Sequence, residues 1–249
     1  MGEFRAALRE LSGSQKTPRG VPAYTLYVNR RAGRVLAAAA SVARMTPNQV
    51  TVVSALFTFS AIALIAAVEP AVWSSILVAV LLVVGYFLDS ADGQLARLQR
   101  AGSPAGEWLD HVVDCAKIVT LHLAVLVCWY RFYDLDEAML LVPMGYLLVG
   151  VVLFFAVVLT EKLKQAAQTA PRSSHATFSR TRAFVMLPVD YGLVCVAFAL
   201  LWAEQTFVVV YTALLVANAA LLGAYLVKSF RELAPPRREP AADVVGEQV

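Results

Sequence analysis

Six apolar segments recur along the chain, at roughly 47–68, 72–96, 107–130, 138–160, 183–203 and 205–227. At 1.5 Å per residue, each is long enough to cross the ~30 Å hydrocarbon layer of a bilayer. With 59% hydrophobic residues among 249, the expected fold is all-α: a polytopic membrane protein whose single integral domain, residues 46–230, holds six transmembrane helices. Residues 1–22 are polar and rich in turn formers, and read as a mobile arm. Residues 231–249, charged and Pro-containing, read as a disordered tail. No cleavable leader is expected, because scattered charges precede the first long apolar run. Cys115, Cys128 and Cys195 fall in apolar segments without metal spacing, so they read as buried, reduced thiols.

Between arm and domain, residues 23–45 fit an N-terminal interfacial amphipathic helix. Tyr24, Tyr27 and a run of alanines give it an apolar side, and Arg30, Arg31 and Arg34 are placed to reach lipid headgroups. The segment carries too many charges to span. Thr46-Pro47-Asn48-Gln49 then reads as a helix start, with Thr46 as the cap, Pro47 in the first helical position and Gln49 completing a capping box.

Basic residues fix an orientation. Eight Lys or Arg precede residue 46, Arg97 and Arg100 follow the second segment, and Lys162, Lys164, Arg172, Arg180 and Arg182 follow the fourth. Lys228, Arg231, Arg237 and Arg238 follow the last, against Arg131 alone on the other side. The excess predicts a multi-pass protein of the cytoplasmic membrane, with both termini in the cytoplasm.

Where the second segment gives way to the third, the chain reads Asp89-Ser-Ala-Asp92-Gly93-Gln-Leu-Ala96-Arg97, then Gly106-Glu107-Trp-Leu-Asp110-His-Val-Val-Asp114. Asp89 lies about 25 Å along its helix, so these charges sit just inside the boundary on the cytoplasmic side. Ionisable residues at such depth are costly and mark function. On a helix Asp89, Asp92, Gly93 and Ala96 share one face, and Gly106, Glu107, Asp110, Asp114 and Lys117 share another. A short turn between the two would aim four carboxylates into one space. They would repel one another unless cations neutralise them, and an all-oxygen ligand set selects a hard ion, Mg²⁺ or Mn²⁺. Gly93 and Ala96 leave room for a ligand at the backbone, and Arg97 offers a fork for phosphate. The expected site is a divalent metal centre holding a phosphate or pyrophosphate at a membrane surface.

The spacing D-x2-D-G-x2-A-R-x8-G-x3-D-x3-D, complete from Asp89 to Asp114, resembles the signature of the CDP-alcohol phosphotransferases. A chance match at one position is on the order of 10⁻¹⁰ at background frequencies. The likeness extends more weakly to Thr46-Pro47-Asn48 and to the six-segment layout. The resemblance implies that Asp89, Asp92 and Asp110 ligate metal, with two ions in the site, and that Asp114 completes the set and acts as general base. It also implies that Gly93, Ala96, Arg97 and Gly106 bind the CDP donor, with Asn48 and Thr51 bordering the nucleotide. An acceptor hydroxyl would attack the β-phosphorus and CMP would leave. A homodimer follows from the resemblance alone.

On this reading CDP-diacylglycerol is the expected lipid donor and a small polar alcohol the acceptor. The wording Gly106-Glu107-Trp-Leu-Asp110-His111 also resembles the branch that joins a CDP-aminoalcohol to diacylglycerol. A non-catalytic membrane transporter is a further alternative, although transporters hold their acidic residues near the midplane. Arg180 and Arg182, where the chain returns to the cytoplasmic side, are candidates to bind a phosphorylated acceptor such as inositol phosphate or glycerol phosphate. Membrane lipids are the expected surroundings, and no nucleic-acid partner is expected. Asp190, after Pro188, suits either a helix-cap or ion-pair role or the site lining, while His122 and Glu204 read as structural.

Overall fold

The computed structural model describes residues 2–13, 21–167 and 180–234, apart from the side chain of Arg182. Among them all regular structure is helical. In chain order these are α1 (Gly2–Gly13), a π-helical turn (Thr25–Asn29), α2 (Arg30–Val42), α3 (Pro47–Ala67), α4 (Val72–Gln99) and α5 (Pro104–Phe132). A 3₁₀ turn (Glu137–Leu140) then leads into α6 (Leu141–Ala166). Beyond it lie α7 (Arg180–Val185), α8 (Tyr191–Ala197) and α9 (Glu204–Leu233). Among the described residues five stretches are long and apolar enough to cross a membrane: α3, α4, α5, α6 with its leading turn, and α9.

The expected span at 183–203 is not one continuous helix. It is divided into α7, a 3₁₀ turn at Leu187–Val189, α8 and a second 3₁₀ turn at Phe198–Leu200. Pro188 has no N–H to continue a helix. Asp190 is extended (φ −79°, ψ 124°), and its carboxylate accepts from Gly192 N at 3.0 Å, capping α8. The apolar helical stretch left, Tyr191–Leu200, is about 15 Å long, half of what a span needs.

A second departure is at the front of the chain, where α1 forms within the expected mobile arm. Phe4, Ala7, Leu8 and Leu11 recur at helical spacing, and Leu11 is fully buried beside Ala37, Ala38, Val50, Ala91 and Leu95. That apolar stripe is what makes the segment helical. Arg34 Nη1 donates to Ser12 Oγ at 3.1 Å, joining α1 to α2. Residues 14–20 of the arm and 235–249 of the tail lie outside the described residues, and α9 runs past the expected boundary at 230.

The long helices close into a ring. α3 packs against α4 and α5, α5 against α6, α6 against α9, α9 against α8, and α8 against α4. The broken segment thus takes the sixth place. Leu82, Leu121, Val125, Trp129, Phe198, Phe207 and Tyr211 fill the interior at one end. There His122 Nδ1 lies 2.6 Å from Tyr211 Oη and its ring stacks on Tyr146, consistent with a structural histidine. Leu56, Ile76, Leu148, Phe155, Val209 and Val216 point outward and exposed, as lipid-facing side chains do. Lipid gives helices no hydrophobic drive to associate, so close approach at small residues and interhelical hydrogen bonds carry the packing. A Cβ at Gly85 would stand 2.3 Å from Thr58 Oγ1, and Ser54 Oγ donates to the Gly85 carbonyl at 2.9 Å. Around the other end, α2 lies across α4. All three cysteines are free as expected; Cys128 and Cys195 are buried, and Cys115 is partly exposed.

Candidate active site

The acidic stretch folds as two helix ends joined by four residues. Arg100 closes α4 in the left-handed region (φ 50°), and Ser103 caps α5, its hydroxyl accepting from Gly106 N at 3.1 Å with Pro104 next in the chain. α3 enters beside them through its expected capping box. Gln49 N donates to Thr46 Oγ1 at 3.3 Å, and Thr46 N donates to Gln49 Oε1 at 2.9 Å. α4 and α5 each pack more closely on α3 than on each other, which leaves space between them for the carboxylates.

Asp89, Asp92 and Asp110 meet in that space, each offering an oxygen within 4.8 Å of the others'. Asp92 is buried at 6% exposure, and Thr51 Oγ1 donates to its Oδ2 at 2.6 Å. Three carboxylates at such range have little reason to converge without a cation. Their oxygens fit a hard divalent ion, so the residues present suit the metal that the sequence implies.

Asp114 lies beside this trio rather than within it. Buried Lys117, which shares its helix face, donates from Nζ to Asp89 Oδ1 at 2.5 Å, to Asp114 Oδ1 at 3.1 Å and to Ser54 Oγ at 3.3 Å. One ammonium therefore bridges the first and last carboxylates of the motif. Although the spacing shows that Lys117 shares the acidic face, nothing in it announces a bridge to Asp89 on another helix.

Three cavities surround the carboxylates. The first, about 190 Å³, is lined by Asn48, Thr51, Asp92, Gly93, Ala96, Gly106 and Asp110. Five of the expected donor-binding residues therefore share one cleft. Gly106 packs closely there, since a Cβ would stand 3.1 Å from Asn48 Oδ1. The second, also about 190 Å³, is polar and lined by Arg30, Asp89, Ser90, Asp92, Arg97 and Asp110. The third, about 220 Å³, is mostly apolar and opens inside the ring between Thr58, Tyr86, Asp114, Lys117, Phe154 and Tyr191.

Two expectations fall differently. Arg180 is exposed on α7 and lines none of these three cavities; the side chain of Arg182 lies outside the described residues. Arg30, expected to face lipid headgroups, instead lines the polar cavity. The signal was legible: Arg30 shares a helical face with Gly33, Ala37 and Ala40, all three buried, and that small-residue face docks on α4. Burial lowers the pKa of the Arg30 guanidinium from its ordinary value, though a guanidinium remains a cation in proteins. Asp190 takes the cap role of the two its sequence position allowed.

Comparison with known proteins agrees with this geometry. The family model described as CDP-alcohol phosphatidyltransferase matches residues 44–228. An archaetidylinositol phosphate synthase of Pyrococcus horikoshii is 40% identical over 70 residues, which is 28% of this chain and 35% of that protein. The match thus spans about a third of the relative's length.

Proposed function

The chain belongs to the CDP-alcohol phosphatidyltransferase family, and from that premise we propose that it is a membrane phosphotransferase of phospholipid synthesis. It moves a substituted phosphate group from a CDP-linked donor, CDP-diacylglycerol, to the hydroxyl of a small polar alcohol. One observation carries the reading: Asp89, Asp92 and Asp110 converge within 4.8 Å at the edge of a cleft that holds the motif's glycines and Asn48.

In this mechanism the cleft takes the cytidine nucleotide, with Gly93 and Gly106 leaving room for it. Asp89, Asp92 and Asp110 would hold Mg²⁺ or Mn²⁺, with Asp114 completing the set for two ions. When bound, such cations orient a pyrophosphate and offset charge on the leaving group. Thr51 fixes the Asp92 carboxylate through its 2.6 Å hydrogen bond. Asp114, held by Lys117, takes the proton of the acceptor hydroxyl as general base. The acceptor oxygen bonds to the β-phosphorus, the bond to the bridging oxygen breaks, and CMP departs with that electron pair.

A phosphorylated acceptor is favoured, since the partial relative is named for a product carrying inositol phosphate. The cytoplasmic placement of site and termini rests on the basic residues flanking the spans, and a homodimer on the family resemblance. CMP release from CDP-diacylglycerol by purified protein, with and without Mg²⁺, across inositol phosphate, glycerol phosphate, inositol and serine, tests the reading. Metal-dependent release with one acceptor supports it; no release with any of them sinks it. Run on Arg180→Ala and Arg182→Ala, the same panel tests these arginines as acceptor ligands. A rise in acceptor KM of about tenfold with donor KM unchanged assigns one of them.

A further inference from the structure

α2 is not merely a surface helix, because its first residue enters the site. Gly33 brings it onto α4: a Cβ there would stand 2.8 Å from Ser90 Oγ and 2.9 Å from Gln94 Nε2. Gln94 Nε2 also donates to the Arg30 carbonyl at 3.2 Å and to Ser90 Oγ at 3.3 Å. Arg30 is thereby fixed at its backbone, half-buried, with its side chain on the polar cavity of about 190 Å³ that Arg97 also lines. The two guanidiniums are close enough to act on each other electrostatically. Arg97 Nε is buried without a hydrogen-bond partner among the described residues.

The charge balance of the cavity points to an anion. Its lining sets two guanidiniums against three carboxylates, Asp89, Asp92 and Asp110. A single divalent cation on those carboxylates turns the net charge from one negative to one positive. Two planar forks then line a cavity of net positive charge, and such forks match phosphate geometry. The cavity shares Asp92, Gly93 and Asp110 with the cleft of Asn48 and Gly106, so it flanks the carboxylates from another side.

We infer that this cavity is a phosphate subsite, and that Arg30 of the amphipathic helix, paired with Arg97, determines specificity for a phosphate group brought beside the carboxylates. The inference deepens the transferase reading and rests on it for the identity of the substrates. The phosphate belongs either to a phosphorylated acceptor or to the donor, and both present the same chemistry to the clamp.

The test uses the full chain in detergent with Mn²⁺ present, comparing wild type, Arg30→Gln and Arg30→Lys, after thermal melting has shown all three folded. Calorimetric titrations employ inositol 1-phosphate and glycerol 3-phosphate, their uncharged counterparts inositol and glycerol, and CDP-diacylglycerol. The expected result is that Arg30→Gln weakens a phosphorylated probe by roughly tenfold or more, with Arg30→Lys between it and wild type. Loss confined to the phosphorylated alcohols assigns the subsite to the acceptor; loss confined to CDP-diacylglycerol assigns it to the donor. Unchanged affinity for every phosphorylated probe, or no binding of any by wild type, overturns the subsite. An equal loss for uncharged probes also overturns it and reduces Arg30 to a helix anchor. Should wild type bind phosphorylated probes through Arg30 yet release no CMP, the transferase reading fails while the subsite stands.

Discussion

Single side chains decide whether the carboxylate cluster works as a metal centre. Replacing Asp89, Asp92 or Asp110 by Ala removes one of three converging oxygens and would leave the proposed ion under-coordinated. Each variant should lose turnover and bind Mn²⁺ more weakly by calorimetry; three wild-type affinities would refute the assignment. Asp114→Asn keeps the shape and removes the proposed base, so the rate should fall by about 10²–10⁴ while donor binding changes less. Loss of donor binding with turnover retained would mark Asp114 as a metal ligand instead. Lys117 gives a test independent of catalysis. It is 5% exposed and neutralises both Asp89 and Asp114, so Lys117→Met leaves two carboxylates without their cation. Breaking a buried pair costs about 3–5 kcal/mol, and the partial exposure of both carboxylates puts this case at the low end. A bound metal supplies the missing charge and stabilises by mass action. Melting in EDTA should therefore drop well below wild type, and Mn²⁺ should raise it further than it raises wild type. An equal Mn²⁺ response in both proteins would show that Lys117 and the metal do not share the Asp89 charge.

Between helices, the site depends on how closely α3, α4 and α2 approach. Gly85 sits where α4 meets Thr58 and the Ser54 carbonyl of α3, with its added Cβ at 2.3 Å and 3.3 Å from them. Gly85→Val should therefore force the helices apart and destabilise by about 1–3 kcal/mol, read as a lower melting temperature. Since α3 carries Thr51 and Ser54, activity should fall as well; a variant that melts like wild type would show that the contact yields freely. Much at this scale was legible beforehand. The offsets within Asp89–Asp114 gave the two acidic faces, and Thr46 and Gln49 gave the start of α3, because caps and helical phase are local. What needs a neighbour was harder. Arg30, Arg31 and Arg34 look alike in a charge count, yet only Arg30 shares the stripe of Gly33, Ala37 and Ala40 that docks on α4. The apolar average over 183–203 concealed the break, because hydropathy does not weigh the lost N–H of Pro188 against the cap offered by Asp190. In α1, a few apolar residues among charges formed a helix because α2 and α4 were there to receive Leu11.

Across the whole molecule, the turn before α2 is tied to the far side of the ring, and Asp190 makes that tie. Its Oδ2 accepts from Thr25 N at 2.7 Å, and its Oδ1 accepts from Thr25 Oγ1 at 2.9 Å and from Gly192 N at 3.0 Å. A fully buried carboxylate (1% exposed) thus joins the turn before α2 to the start of α8, 165 residues away. Thr25 Oγ1 also lies 2.7 Å from Tyr86 Oη, and Tyr86 lines the ring cavity with Asp89 and Asp114. The hydrogen-bond path therefore runs from the helix cap to the wall of the site. Asp190→Ala leaves the Thr25 and Gly192 donors without their acceptor. Because hydrogen bonds to a charged group carry about 1.5–3 kcal/mol each, the melting temperature should fall sharply. Asp190→Asn separates two roles. Asn is as good a helix cap as Asp, so if capping α8 were the whole function the variant would melt like wild type. If the residue also clamps Thr25, the side-chain amide places a donor where an acceptor is required, and Asn should cost nearly as much as Ala. Turnover should then fall in both variants while Mn²⁺ affinity holds, because the carboxylates proposed to ligate it stand on α4 and α5. An Asn variant with wild-type melting and wild-type turnover would confine Asp190 to its cap and leave the Thr25 turn held by packing alone.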